Sequence, residues 1–200
     1  MLEYPSIPSV AKCRGMGKPC VAFYKYDGSN LRFEWSAKRN WHKFGSRTQL
    51  IDEGTEQYRG AIPYFMDNIA ASIETIVLEE FGRGTRRIVA FAEYFGPSSF
   101  AGSHDPLEPK ELMLFDVFVQ DKDLLSAKDF LKLFKPHAWC AEVVYTGNMN
   151  QQFITAVREG QYALNEGVVC KGNGWSAKIK TAAYLNRLKS TFGDDWEKFA

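Results

Sequence analysis

The chain has 200 residues, of which 45% are hydrophobic and 14% aromatic. This composition is sufficient to bury a core in one domain, or in one domain of two packed lobes, and it excludes an intrinsically disordered chain. Because 25 basic residues oppose 24 acidic ones, affinity for nucleic acid must come from local clusters rather than from net charge. With no signal-peptide-like start and no run of about 20 apolar residues, we expect no membrane span and a cytoplasmic location, or the host cytoplasm for a viral protein.

The first predicted elements are two strands. Alternating apolar and polar residues at 20–26 and 30–37 flank the turn-forming sequence Asp27-Gly28-Ser29, which predicts a hairpin closed at the glycine. Lys25 ends the first run, next to a glycine that lets backbone approach a ligand closely. A surface lysine beside a β-turn explains the same pattern, so this motif alone is a weak indication of a site.

A basic and aromatic stretch follows the second strand. Lys38, Arg39 and Arg47 lie in a segment without acidic residues, interleaved with Trp41 and Phe44. This composition suits phosphate and base contacts with nucleic acid. A solvated basic loop is the alternative interpretation.

Two helices come next in the predicted order. Apolar residues at helical spacing over 63–81, with a proline at the start and Gly82 after the end, predict the longest helix of the chain. Ser126 begins another helix, with Asp129 at capping-box spacing and Pro136 as its stop.

The remaining segments predict an α+β architecture. No internal repeat or linker interrupts the pattern, so a single domain over 1–200 with mostly antiparallel sheets and no appended C-terminal domain is the simplest expectation. Strands are predicted at 87–95, 112–119, 142–145, 167–170 and 175–180, a Gly, Pro and Ser loop at 96–109, and further helices at 151–159 and near the C-terminus.

Six short segments follow one another along the chain. They are Lys25-Tyr26-Asp27-Gly28-Ser29-Asn30, Ser36-Ala37-Lys38-Arg39, Phe91-Ala92-Glu93-Tyr94-Phe95-Gly96, Leu114-Phe115-Asp116-Val117, Glu166-Gly167-Val168-Val169-Cys170-Lys171 and Lys178-Ile179-Lys180. This ordered set resembles the covalent nucleotidyltransferase superfamily of DNA ligases, RNA ligases and mRNA capping enzymes. The resemblance covers residues 25–180.

Within that superfamily the chain looks most like ATP-dependent RNA ligases of the phage nick-sealing and RNA-editing type. Asn30, the Ala37-Lys38-Arg39 sequence and the Tyr94-Phe95-Gly96-Pro97 sequence carry this closer resemblance. Asp27 differs, because many of those enzymes have His at this position, whereas an Asp there resembles DNA ligases and other RNA ligases. The resemblance therefore leaves RNA, DNA-containing and hybrid strands open as substrates.

The resemblance implies an α+β nucleotidyltransferase, ATP-grasp-like fold, with mostly antiparallel sheets flanked by helices and the nucleotide site between them. It implies ATP and Mg²⁺ (or Mn²⁺) as cofactors and a reaction in which the Lys25 amine attacks the α-phosphate, so that AMP is carried on the lysine. AMP then passes to a 5′-phosphate, which is sealed to a 3′-hydroxyl. The expected partner is RNA, as a nicked duplex or as broken ends, bound by a monomer that an auxiliary nucleic-acid-binding partner assists in the later steps.

The same resemblance implies a role for each matched residue. Alternation along a strand places both lysines of the last motif on one face, although a solvated strand face is the alternative. Phe115 would stack on adenine, with core packing as the alternative. The implied catalytic residues are Lys25, Lys178 and Lys180; the nucleotide-binding residues add Asn30, Arg39, Glu93, Phe115 and Glu166; Asn30 and Glu166 would organise the metal; Lys171 is a further phosphate contact; and Lys38, Arg39 and Arg47 would bind nucleic acid.

Three rival functions remain at this level. Only residues 181–200 follow Lys180, which argues against a conventional DNA ligase or a GTP-dependent capping guanylyltransferase and for a minimal RNA ligase or an isolated catalytic domain. A non-enzymatic nucleotide- or RNA-binding module is the third alternative. A label from GTP would indicate the capping enzyme and no label the binding module, whereas an AMP label leaves RNA and DNA ligases to be distinguished by their substrates.

Overall fold

A computed structural model describes residues 1–97, 107 and 109–199, which divide into two compact units. The first unit comprises Met1–Pro5, Ser29–Phe95 and Pro109–Cys140, and the second comprises Ser6–Gly28 and the chain from Ala141 onward. Most of the loop predicted at 96–109 lies outside the described residues. The assignment of one domain over 1–200 stays a prediction.

Each unit contains one sheet, and the strand pairs with a defined register are antiparallel, as predicted. The first unit has the six-stranded order β4-β3-β2-β5-β6-β7 and the second the four-stranded order β10-β9-β1-β8. The strands are β1 (Pro19–Lys25), β2 (Gly28–Ser36), β3 (Asn40–Ser46), β4 (Leu50–Ile51), β5 (Arg87–Phe95), β6 (Glu111–Val119), β7 (Asp123–Leu124), β8 (Val143–Asn148), β9 (Gly167–Gly172) and β10 (Trp175–Lys180).

The helices agree with the predicted positions. The predicted helix at 63–81 is confirmed as a continuous helical stretch with a π-helical turn at Met66–Ala70. Ser126 caps its helix as predicted, because its Oγ accepts a hydrogen bond from the Asp129 amide at 3.1 Å. The α-helices are α1 (Ala61–Phe65), α2 (Ala71–Phe81), α3 (Ala127–Phe134), α4 (Gln151–Arg158) and α5 (Ala182–Phe192), and 3₁₀ turns occur at Val10–Lys12, Glu56–Tyr58 and Gly193–Phe199. In the part of the chain that the structure covers, no helix has the length and apolar character needed to cross a membrane.

The hairpin predicted around Gly28 is wrong, although both of its strands are present. Strand β1 pairs with β8 on one side and β9 on the other, whereas β2 pairs with β3 and lies next to β5. The two strands therefore belong to different sheets and are joined by the Tyr26-Asp27 dipeptide. Alternation identifies a strand and its buried face, but the choice of neighbour depends on long-range packing.

The four-stranded sheet of the second unit has one apolar face. Because side chains alternate along each strand, the other face carries the polar residues of the motifs. Buried side chains on the apolar face are Cys20, Ala22, Val168, Cys170, Ala177 and Ile179, and they pack against Phe153, Ile154 and Val157 of α4. The opposite face carries Lys25, Lys171, Lys178 and Lys180.

The six-stranded sheet of the first unit also separates its residues by face. On β2, Leu31 and Phe33 are buried in the core, and the Phe33 ring stacks on Phe65 of α1 with ring centroids 3.9 Å apart. Asn30 and Arg32 point to the other face, where the Arg32 guanidinium donates a hydrogen bond to the Leu2 carbonyl at 2.9 Å. The polar residues of β2 are thus covered in part by the N-terminal segment.

Candidate active site

The carboxylate of Glu166 binds two lysines. Its Oε2 lies 2.8 Å from Nζ of Lys25, and its Oε1 lies 3.1 Å from Nζ of Lys180. The side chains of Glu166 and Lys180 are 4% and 8% exposed, whereas that of Lys25 is 24% exposed. Of the two ammonium groups, Lys25 is therefore the one more open to a ligand.

Strand register explains why these three residues meet. Strand β9 lies between β1 and β10, and both Lys25 and Lys180 are register partners of Gly167. A Cβ at Gly167 would lie 2.0 Å from the carbonyl oxygen of Ile179, and the residue has a φ of +155°. Only glycine permits this close approach, and the residue before it, Glu166, is thereby placed near both lysines.

Lys180 occupies a buried and electrostatically crowded position. Burial is the largest influence and lowers the pKa of Lys180 below its ordinary value of 10.5; Glu166 opposes this decrease, and the positive charge of Lys25 adds to it. The Lys180 Nζ also lies 4.8 Å from the centroid of the Tyr184 ring, within the range of a cation–π contact. The ammonium of Lys180 is therefore held from two sides.

Asp27, two residues after Lys25, is buried and accepts a hydrogen bond from the Tyr184 hydroxyl at 2.7 Å. Burial raises the pKa of Tyr184, and Glu166 and Asp27 contribute, so the phenol remains a neutral donor. Tyr184 lies outside the six sequence motifs and is not among the predicted site residues. The sequence feature that indicates its position is Thr181 three residues earlier, an N-cap residue that fixes the first turn of α5.

The other lysines predicted for the phosphates lie on the same face of the sheet. Lys178 is two residues before Lys180 on β10, and the intervening Ile179 is buried in the core, so the predicted common face is confirmed. Lys171 is largely buried, with its Nζ 5.2 Å from the centroid of the Phe23 ring. This lysine face concentrates positive charge in a protein whose net charge is near zero.

In the first unit, Phe115 lies at a β-bulge. The register between β5 and β6 shifts between Phe91 and Ala92, which leaves Phe115 as the extra residue of β6. Its ring is half-buried and packs edge-on against Tyr4, with ring centroids 5.0 Å apart. Phe115 is therefore only partly buried, whereas Leu114 and Asp116 on either side of it are buried.

Glu93 lies on the same sheet face as Phe115. It is the register partner of Met113 on β6, and both residues are half-buried while their strand neighbours are buried. The structure thus places Glu93 and Phe115 on neighbouring strands of one sheet.

Asp116, the residue after Phe115, has a structural role. The Tyr4 hydroxyl donates a hydrogen bond to its Oδ2 at 2.9 Å, and the Val117 amide donates to its Oδ1 at 3.0 Å. Both Tyr4 and Asp116 are buried, and burial raises the pKa of Tyr4 with a contribution from Asp116. The carboxylate anchors the N-terminal segment beside the Phe115 ring.

The two residues predicted to organise a metal, Asn30 and Glu166, both carry oxygen donors. The Oδ1 atom of Asn30 is buried and has no hydrogen-bond partner among the described residues. Over the same residues, no group of three or more His, Cys, Asp or Glu side chains is placed to hold a metal ion. Mg²⁺ commonly retains waters and binds one or two carboxylates plus substrate phosphates, so the Asn30 amide oxygen in the first unit and the Glu166 carboxylate in the second are each donors of a type that this ion accepts.

The basic residues predicted to bind nucleic acid do not form one cluster. Lys38 and Arg39 are exposed in the turn between β2 and β3, and Arg47 is exposed in the turn between β3 and β4. The seven residues of β3 separate these turns by roughly 23 Å at 3.3 Å per residue. Trp41, from the same stretch, is buried and packs edge-on against Phe65, so it contributes to the core.

Comparison with known proteins gives one family and one set of similar structures. A sequence model of the family described as RNA ligase matches residues 18–190. A solved structure of Naegleria gruberi RNA ligase with PPi is similar at a TM-score of 0.70 and 19% identity, covering 94% of this chain and 58% of that one. Mutants of the same ligase with ATP and Mn, and with AMP and Mn, are similar at TM-scores of 0.67 and 0.65 with 16% identity, covering 93% and 94% of this chain and 58% of each of theirs.

At these identities the structural likeness shows the fold alone, and the chain spans 58% of the length of that ligase. No curated protein sequence matches the chain significantly.

Proposed function

Because this chain belongs to the RNA ligase family, we propose that it is an ATP-dependent RNA ligase that carries AMP on Lys25. AMP passes from the lysine to the 5′-phosphate of an RNA end, and a 3′-hydroxyl then attacks that phosphate and expels AMP. The observation that carries this proposal is that the Glu166 carboxylate binds both Lys25 and Lys180. The partly exposed amine of Lys25 is thereby held near the buried ammonium of Lys180, a cation suited to binding phosphate. The proposed fold is that of the nucleotidyltransferases, with the ATP-grasp-like arrangement of sheets and helices.

In the first step the Lys25 nitrogen forms a bond to the α-phosphorus of ATP, and the bond from that phosphorus to the pyrophosphate oxygen breaks. The lysine has to lose its proton, because an ammonium has no lone pair for attack. Positive charge on Lys178 and Lys180 disfavours a further positive charge at Lys25. The ion pair with Glu166 acts in the opposite direction and holds Lys25 in position.

The remaining lysines of the face act on the phosphates. Lys178 and Lys180 neutralise the negative charge that develops on the phosphate oxygens and on departing pyrophosphate. Lys171 provides a further cation on the same face. Asn30 and Glu166 would hold Mg²⁺ or Mn²⁺, which when bound adds positive charge at the phosphates.

The nucleoside and the RNA are assigned to other residues. Glu93 accepts hydrogen bonds from the ribose hydroxyls, and Phe115 stacks on adenine, a contact of about 1–3 kcal/mol per base. Arg39 binds the nucleotide or the 5′-phosphate through its planar guanidinium, and Lys38 and Arg47 contact the RNA backbone. The choice of ATP and a divalent metal is supported by the similar Naegleria gruberi ligase, whose mutants were solved with ATP and Mn.

The activity is tested by exposing the protein separately to labelled ATP and labelled GTP with Mg²⁺ or Mn²⁺. We expect a covalent AMP adduct, located at Lys25 by peptide mass spectrometry, that is released when 5′-phosphorylated nicked RNA is added. A label from GTP alone would identify a capping enzyme, and no label from either nucleotide would identify a binding module. Comparing nicked RNA, nicked DNA and hybrid duplexes, with and without an added RNA-binding protein, identifies the preferred strand and any need for a partner.

A further inference from the structure

Tyr184 lies at the centre of a buried polar network that the assigned mechanism does not use. Its side chain is almost completely buried, yet its ring lies outside the apolar cluster of the second unit. Two cations lie over the ring, Lys180 with its Nζ at 4.8 Å and Arg187 with its Cζ at 5.4 Å from the centroid. The hydroxyl donates to Asp27.

The local sequence accounts for the position of this ring. Thr181 is the N-cap of α5, and its side-chain oxygen accepts a hydrogen bond from the Tyr184 amide at 3.1 Å. The Thr181 amide in turn donates to the Glu166 carbonyl at 2.9 Å. These two hydrogen bonds connect the start of α5 to the residue before β9, and the tyrosine ring lies beside Lys180.

From this geometry we infer that Tyr184 is a positioning residue for Lys180, and that its ring and its bond to Asp27 hold the lysine in place for the phosphates of ATP. The inference rests on the proposed function. The negative face of the ring attracts the ammonium in a site with little water, where such a contact is stronger than at the surface. Glu166 binds the same ammonium, so the carboxylate and the ring together restrict where Lys180 points.

The contacts favour this role over simple packing. An aliphatic side chain would be enough if this position only had to fill space. Here two cations lie over the ring, and the hydroxyl donates to a carboxylate at 2.7 Å. Asp27 stands two residues after the proposed nucleophile Lys25, so the tyrosine links the first motif to the last lysine motif. In the proposed reaction Lys25 attacks a phosphate whose charge Lys180 neutralises, so the two lysines must keep a fixed position relative to each other.

The first experiment compares Tyr184→Phe, Tyr184→Leu and the matched control Tyr145→Leu, whose ring packs on the apolar cluster instead. Single-turnover formation of lysyl-AMP is measured at saturating ATP, together with the ATP concentration giving half the maximal rate and the urea midpoint. We expect Tyr184→Leu to lower the maximal rate about tenfold or more while the half-saturating ATP changes less, and Tyr145→Leu to lower the urea midpoint alone.

A second measurement separates positioning from folding. Phenylalanines with one, two and three ring fluorines, introduced at position 184, keep the shape of the ring while weakening its negative face. We expect the rate to fall stepwise from Tyr184→Phe along this series, while the urea midpoint stays at the value of Tyr184→Phe, which lacks the hydroxyl bonded to Asp27. A rate that does not depend on fluorination, or a Tyr184→Leu variant as fast as the parent, overturns the inference. If the parent protein forms no adduct at all, it is the proposed function that fails.

Discussion

Lys25 and Glu166 are 141 residues apart in the chain, yet Nζ of the lysine lies 2.8 Å from Oε2 of the glutamate. The contact exists because β1 and β9 are neighbouring strands and because Gly167, the residue after the glutamate, lets β10 approach closely. A single carboxylate thereby compensates two lysines, and each of the three residues constrains the other two.

Replacing Lys25 with alanine is expected to abolish the AMP adduct while leaving the protein folded. The lysine is partly exposed, and Glu166 keeps its second partner Lys180, so we expect a loss of stability of about 1 kcal/mol or less. Intact-mass spectrometry after incubation with ATP and Mg²⁺ is the measurement. Lys18→Ala, an exposed lysine before β1, is the control and should be labelled normally. A labelled Lys25→Ala protein would contradict the assignment of the nucleophile.

The Glu166→Gln variant is expected to lose about 3 kcal/mol of unfolding free energy, because a buried carboxylate is removed and two ammonium groups lose their counter-charge. Urea unfolding at neutral pH measures the change. Glu80→Gln breaks the exposed ion pair with Lys132 and should cost less than about 1 kcal/mol. Equal effects of the two substitutions would show that the buried position of Glu166 has no energetic consequence.

Gly167→Ala is expected to destabilise the second unit by about 3 kcal/mol or more, because its Cβ would collide with the Ile179 carbonyl of the adjacent strand. Lysyl-AMP formation should fall as well, since relief of the clash moves β10 and with it Lys180. Thermal unfolding and the labelling rate are the measurements. Gly84→Ala is the matched control, because a Cβ there has no atom within 4 Å among the described residues. A variant at Gly167 with the stability of the parent would disprove the close approach.

Phe115→Leu is expected to raise the half-saturating ATP concentration about tenfold, because the variant loses one stacking contact with the adenine base. The effect on stability should be small, because the ring is only half-buried at a bulge. Phe118→Leu on the same strand serves as the control and should leave ATP binding unchanged. Should both variants bind ATP like the parent, Phe115 would be a packing residue and not an adenine contact.

Tyr4→Phe is expected to change the dependence of stability on alkaline pH. The pKa of Tyr4 in the folded protein is raised above its ordinary value of 10.0, chiefly by burial and further by Asp116, so the stability from this phenol is present below pH 10 and is lost as pH rises above it. Near neutral pH the variant should lose about 2 kcal/mol, the contribution of a hydrogen bond to a charged group. The difference between variant and parent should shrink from pH 9 to pH 11.

Urea unfolding across this pH range is the measurement, with Tyr64→Phe, at an exposed tyrosine, as the control that should follow the parent. A constant difference between Tyr4→Phe and the parent at all pH values would mean that Tyr4 ionises equally in the folded and unfolded chain.

Much of the secondary structure was predictable from local patterns. The helix ends at Gly82 and at Ser126 follow from a glycine stop and a side-chain cap, which act within a few residues. Strand β3 was not predicted, because its basic surface residues and its glycine obscure the alternation that buries Trp41. The common face of Lys178 and Lys180 was predictable, because alternation is a property of a single strand.

By itself, the sequence determined the motifs, whose order indicates the RNA ligase family, and most elements, since each motif and each element depends on residues close together along the chain. Only the tertiary structure decided that β1 and β2 enter different sheets, that Glu166 binds two lysines and that Asp27 binds Tyr184. These relationships join residues up to 157 positions apart. They arise from strand pairing and close packing, for which local periodicity carries no information.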